Sequence, residues 1–270
     1  MPNQTDVPIL PFPGHILKTG SGDKSSIEML QHRLNEVGCG PIAETGVFDK
    51  EHTKNSVMLF QARFSDVDAL PLKVDGQVGP LTWAALFGTR SVPSTSVAPS
   101  VLVGAAIDFA ITQIGVMESP LGSNRGPEVD KFLRAVNLDP AAGSFPWCVA
   151  FTHFCYKMAA ESGSVENPHT RTAGVLDHWA KAATNPSARR VLRSQAVTNP
   201  GLVRPGSLFI IDVGGGAGHS GMVLGTANGR LSTIEGNTND NGSRNGIGVF
   251  RREARKIVDI NKGFIDYGGD

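Results

Sequence analysis

The stretch SFPWCVAFTHFCYKMAA, residues 144–160, decides how the larger part of this chain is read. Pro146 stands just before an apolar run of helical period, which marks a helix start and puts Cys148 in the first turn. Phe151 or Thr152, and Cys155, share its face at i+3, i+4 and i+7. A thiol there lies at the positive end of the helix macrodipole, which favours the reactive thiolate. The free backbone N–H groups of the same turn are placed to stabilise an oxyanion on an attacked carbonyl. By itself, a cysteine beside a tryptophan on an amphipathic helix is more often core packing. Cys155 and Cys39 keep that reading, and Cys148 leaves it only through its company.

That company lies downstream. In GGGAGHSGMVLG, residues 214–225, a glycine run leads into a strand that opens with His219 and alternates through Gly221 and Val223. A histidine held near a strand end among small neighbours is suited to act as general base for a thiol and then as acid to a leaving amine. His153, His169 and His178 lack such a setting and read as ordinary half-exposed histidines. The next strand, RLSTIEGNTN at residues 230–239, ends with Glu235 and Asn237, on one face by period two. Either can accept the imidazole N–H and fix its tautomer, and the residues alone leave that choice open.

Working outward, Val103, Ile107, Ala110 or Ile111, and Ile114 make one helical stripe, and another helix is expected near Glu128 to Val136. Beyond Pro205 come short runs of strand character with Gly or Asn turns: SLFIIDV, HSGMVLG, RLSTIEG, GVFRR and GFIDY. Helices first and antiparallel strands later predict an α+β domain over residues 101–270. The stretch MESPLGSNRGPEVDKFL, residues 117–133, is rich in loop formers. Arg125 within it is a candidate for pairing with a substrate carboxylate, against the simpler reading of a solvated arginine. Trp147, beside the nucleophile, is a second substrate-binding candidate.

Upstream, TRSVPSTSVAPS at residues 89–100 is made of Ser, Thr, Pro and small residues and reads as a linker. Residues 1–88 then form a small unit of their own. Ile27, Leu30, Leu34 and Val37 fall at helical spacing before Gly38 and Gly40, and Val57, Phe60 and Phe64 make a second helix face. Pro80 opens a short third helix carrying Trp83, Leu86 and Phe87. Two Gly-containing turns, ETGVFDKEHT and VDGQVGPLTW, give a three-helix bundle with a weak internal repeat.

Composition narrows the partners. The 270 residues hold 25 basic and 25 acidic side chains, a balance that argues against nucleic acid or anionic lipid as the main partner. The longest apolar stretch, residues 101–117, is interrupted by Asp108, Thr112 and Gln113, so no membrane insertion is expected. Three cysteines without paired spacing do not make a disulfide framework, and the seven histidines show no zinc spacing, so no metal is expected. The opening MPNQTDVPIL lacks a basic n-region and an apolar core, which predicts synthesis in the cytoplasm without a signal peptide.

LQHRL, LFQARF and VDGQVGPLTWAAL, in that order, resemble the peptidoglycan-binding domain type 1 family over about residues 18–88. One departure is Thr45-Gly46, where the first turn of that family carries Asp-Gly. PWCVAFTHF, RPGSLFIID, GHSGMVLG and TIEGNTN, in that order, resemble the CHAP family, cysteine- and histidine-dependent amidohydrolases and peptidases with a papain-like core. The resemblance implies Cys148 as nucleophile, His219 as base and Glu235 as the orienting acid, with Asn237 assisting and no cofactor. It implies a peptidoglycan hydrolase that cuts either the N-acetylmuramoyl-L-alanine bond or an amide of the stem or cross-bridge. Two other readings compete: a catalytically silent wall-binding protein, and a cysteine hydrolase of non-wall amides. A binding module ahead of a catalytic domain resembles a modular phage endolysin, expected as a monomer that reaches the wall by holin-type delivery. An injected bacterial toxin, delivered by a secretion system and matched by an immunity protein, has the same layout.

Overall fold

The computed structural model describes residues 10–239 and 246–269. The first nine residues, which carry the expectation about a signal peptide, lie outside the described residues, as does residue 270. The chain divides into two compact units, with the first boundary between Ser94 and Thr95.

The first unit holds α1 (Lys24–Glu36), α2 (Thr53–Arg63) and α3 (Pro80–Phe87). Asp23 caps α1 by accepting from the Ser26 amide. Ile27, Leu30, Leu34, Val57, Phe60, Trp83 and Leu86 fill the core, so the apolar faces read from the sequence are the ones buried. The internal repeat has a polar skeleton. Gln31 accepts from the Gly46 amide and donates to the Val47 carbonyl and the Thr53 hydroxyl. Gln61 does the same with Gly76, Gln77 and Thr82. Each glutamine thus staples a turn to its helix, and both turn glycines have φ of +69°, where a side chain would be strained. The Thr45 departure is conservative in its chemistry. Its hydroxyl accepts from the Val47 amide as the Asp75 carboxylate accepts from Gln77.

The second unit begins with α4 (Val101–Thr112), α5 (Pro127–Ala135), α6 (Cys148–Ser162) and α7 (Val175–Lys181). β1 (Arg189–Leu192), α8 (Arg193–Thr198), β2 (Leu208–Gly214), β3 (Ala217–Ala227), β4 (Arg230–Thr238), β5 (Gly248–Lys256) and β6 (Gly263–Asp266) follow. Among the described residues the strands form one curled sheet in the order β1-β6-β2-β3-β4-β5. The α+β expectation holds, with α6 packed against α4, α5 and β4. Phe132 of α5 is the hinge of that packing, its ring 5.5 Å from Phe151 and 5.8 Å from Trp147.

The structure corrects two expectations and adds one strand. Residues 89–100 are not a plain linker: Ser91 accepts from the Phe12 amide and Val92 is buried in the first core, while Thr95 pairs with Thr226 in the second unit. Polar composition hid backbone pairing that such residues make readily. β1, only four residues and half charged, escaped the strand reading because it is stabilised by pairing with β6, far along the chain. His153, His169 and His178 are not half-exposed but buried, in a cluster with Tyr156 and Tyr267. The rings of His169 and His178 stack at 4.4 Å, and His178 Nε2 lies 2.7 Å from the Tyr267 hydroxyl. Burial pushes His153 down to about 4 and His178 down to about 3.

Candidate active site

Cys148 is the first residue of α6, with Trp147 at the N-cap. No side chain caps this end, so the amides of the first turn are left for another acceptor. His219 sits near the start of β3, in register with Ile211 of β2. Glu235 comes from the neighbouring β4. Both strands approach through glycine. A Cβ at Gly221 would lie 2.7 Å from Glu235 Cγ and 2.8 Å from the Phe209 ring, so only glycine leaves room for this carboxylate. A Cβ at Gly236 would meet the Trp147 ring at 2.7 Å, so glycine lets β4 rest directly on the start of α6.

These placements bring Cys148, His219 and Glu235 together. His219 Nε2 donates to Glu235 Oε2 at 2.8 Å, and the Cys148 thiol interacts with the same ring. Exposure is 2% for Cys148, 3% for His219 and 0% for Glu235, so the three act on one another in a dry setting. Nδ1 of His219 has no hydrogen-bond partner meeting normal geometry among the described residues. Burial works against the charged ring, but the neighbouring Cys148 thiol and the hydrogen bond to Glu235 outweigh it and push His219 up to about 9. Burial likewise opposes the Glu235 carboxylate, and hydrogen bonds from Arg255 and His219 overcome it, holding Glu235 down at about 2.

Asn237 is placed differently from the period-two reading. The β4–β5 pairing shifts register between Glu235 and Thr238, and Asn237 takes φ of +54°, a conformation asparagine tolerates better than most side chains. Its amide donates to Asn124 at 2.7 Å and to Glu118 at 3.4 Å, while Glu235 is the residue that takes the imidazole. Trp147 is fully buried and its indole N–H donates to Glu118 Oε1 at 2.8 Å. It therefore anchors the start of α6, and its ring offers no face for a substrate. Arg125 makes a two-pronged contact with Asp130, at 2.9 and 3.1 Å, so its fork is already engaged.

Sequence reasoning missed Glu118 and Arg255. Glu118 is a buried carboxylate that accepts from Trp147, Asn237 and the Asn124 amide, tying the start of α6 to the end of β4. A lone glutamate in a loop-forming stretch carries no signal of that. Arg255 lies just past the GVFRR run, in the charged stretch RREARK, where nothing in the spacing sets it apart from its neighbours.

This order of helix, cysteine, histidine strand and glutamate strand is the arrangement expected for one family, and the comparison decides it. Residues 140–237 match the family described as CHAP domain. The chain carries a CHAP domain. Residues 23–86 match the family described as Putative peptidoglycan binding domain, so the binding module precedes the CHAP domain as its residues indicated. No curated protein and no solved structure matches the chain. The two domains together support a cell-wall hydrolase with peptidoglycan as its partner. Among the described residues, no helix is long and apolar enough to cross a membrane.

Proposed function

We propose that the CHAP domain hydrolyses an amide bond of peptidoglycan through Cys148, His219 and Glu235. The observation that carries this reading is the buried His219 ring, bonded through Nε2 to Glu235 and in contact with the Cys148 thiol on a helix N-terminus. In the first half-reaction the Cys148 sulfur attacks the amide carbon and the carbonyl oxygen becomes an oxyanion, facing the free amides of the first turn of α6. The imidazolium of His219 gives its Nδ1 proton to the departing amine, the C–N bond breaks and an acyl-thioester remains. In the second half-reaction His219 takes a proton from water, whose oxygen attacks the thioester. The thiolate then leaves and the carboxylic acid is released. Glu235 keeps the ring in the tautomer that presents Nδ1 to sulfur. Asn237 takes a supporting part by joining Glu118 and Asn124 at the end of β4.

The two-domain layout supports an endolysin-like lytic enzyme, acting on the wall as a monomer after holin-type or secretion-system delivery. The test is digestion of purified peptidoglycan by the wild-type chain and by Cys148→Ala, with mass spectrometry of the fragments. Release by the wild type alone supports the mechanism, and the masses distinguish an N-acetylmuramoyl-L-alanine amidase from a stem or cross-bridge endopeptidase. Equal release by both proteins excludes Cys148 as nucleophile. Binding of both proteins without release by either returns the silent wall-binding reading.

A further inference from the structure

Beyond the last residue of the CHAP match, β5 sends Arg255 back onto Glu235. Its Nε donates to Oε1 at 2.5 Å and its Nη2 to Oε2 at 2.6 Å, a fork that fixes the plane of the carboxylate. The Thr233 hydroxyl adds a contact of 2.7 Å to Oε1, and His219 holds Oε2. The Phe209 ring lies under the Arg255 guanidinium at 4.7 Å and beside the His219 ring at 5.6 Å, so one aromatic side chain supports both partners of Glu235. The groups that face Glu235 are thus His219 from β3, Arg255 from β5, Thr233 from its own strand and the uncharged Phe209 from β2.

We propose that Arg255 is a positioning residue of the active site, acting through Glu235 to hold His219 with Nδ1 toward Cys148. This rests on the proposed roles of Cys148, His219 and Glu235. The physical need is plain: a carboxylate with no exposure to water takes up a proton more readily once its permanently charged partner is gone and only His219 and the Thr233 hydroxyl remain. A protonated Glu235 would no longer stabilise the imidazolium and could rotate its donor toward the ring. Arg255 blocks both outcomes, because it cannot surrender its charge and its fork admits one carboxylate orientation. Lysine at 255 would keep the charge but lose the fork.

The test uses the full chain, with fragment release from purified peptidoglycan measured across pH for Arg255→Gln, Arg255→Lys, Glu235→Gln and the Arg255→Gln/Glu235→Gln double variant. Arg255→Gln is expected to slow release by about tenfold or more, equivalent to about 1.4 kcal/mol of lost transition-state stabilisation. Its acid limb is expected to move toward neutral pH as Glu235 becomes easier to protonate. Arg255→Lys is expected to recover the limb while recovering only part of the rate. The double variant is expected to be no slower than Glu235→Gln, because a residue acting through Glu235 has nothing left to position. Wild-type rate and profile in Arg255→Gln, or losses that multiply in the double variant, would overturn the proposal. Wild-type activity in Glu235→Gln would instead overturn the triad reading beneath it. If Arg255→Gln leaves a buried unpaired charge and fails to fold, Arg255→Lys with a wild-type melting temperature and wild-type rate overturns the proposal equally well.

Discussion

Removing the Cys148 sulfur should change the proton affinity of His219 as well as abolish chemistry. Burial alone would lower the ring below its ordinary value of 6.5, yet it rises to about 9, and contact with Cys148 heads the influences that oppose burial. The interval from 6.5 to about 9 represents about 3 kcal/mol of preference for the charged ring, at about 1.4 kcal/mol for each pH unit. The stabilisation is fully present below about pH 6.5, where the ring is charged in both folded and unfolded chains. It fades between 6.5 and about 9, where only the folded chain keeps the proton, and it is absent above that range. In Cys148→Ala, Glu235 alone remains to oppose burial, so the ring should titrate at least about one pH unit lower than in the wild type. The assay is an NMR pH titration of the ring-proton signal that disappears in a His219→Ala control. The catalytic counterpart is a wild-type rate of fragment release that declines as pH rises through about 9. An unchanged titration in Cys148→Ala, or a wild-type ring that titrates near 6.5, would refute the argument that thiol and imidazole form one coupled unit.

Other consequences follow from buried groups. His153, His169 and His178 are all depressed by burial, so their contribution is present above about pH 6.5 and lost as pH falls toward 4 and below. The CHAP domain should therefore melt at progressively lower temperature over that window, and His178→Phe should flatten the dependence; a melting temperature constant from neutral to acid pH would contradict it. Gly236→Ala should destabilise by about 1–3 kcal/mol and slow release, because the added methyl overlaps Trp147 and Phe151 and lifts the strand carrying Glu235 off α6. Calorimetry and the release assay read both effects, and a wild-type result in both would mean the contact relaxes freely. Arg125→Ala should leave fragment release unchanged, since Asp130 already occupies its fork; a fall in release with unaltered melting would restore it as a substrate contact.

The legible parts of this molecule are those in which one short stretch carries its own evidence. The start of α6 could be read because Pro146, a helical stripe and Cys148 stand within a few residues. His219 could be read because glycine neighbours and period-two alternation surround it. Arg255 was not legible for a definite reason. The β4–β5 register shifts between Leu231 and Thr233 and again between Glu235 and Thr238, and period-two counting cannot carry a side chain across two such shifts. The histidine cluster was hidden in another way: its members come from α6, a loop and α7, and Tyr267 closes it from the end of the chain. Each looks polar alone and is buried only in company. The glutamine staples of the first unit sat in plain view at 31 and 61, but a glutamine on a helix reads as solvated until the turn it binds is known.

The residues that were missed share one property with physical consequences for the site. Arg255 and Glu118 both complete buried polar chains, and neither chain tolerates an unfilled position as a solvent-exposed one would. One chain runs from Cys148 through His219 and Glu235 to Arg255, and its last three members carry charge. The other runs from Trp147 through Glu118 to Asn237 and Asn124. They begin at adjacent residues, 147 and 148, and both include residues of the end of β4, 235 and 237. The start of α6 is thereby fixed to the same strand twice, once through the groups proposed to react and once through the Glu118 link beside them. A thiol and an imidazole on separate elements must hold their spacing closely for proton transfer, and a second buried link beside the first resists the small displacements to which the chemistry is most sensitive.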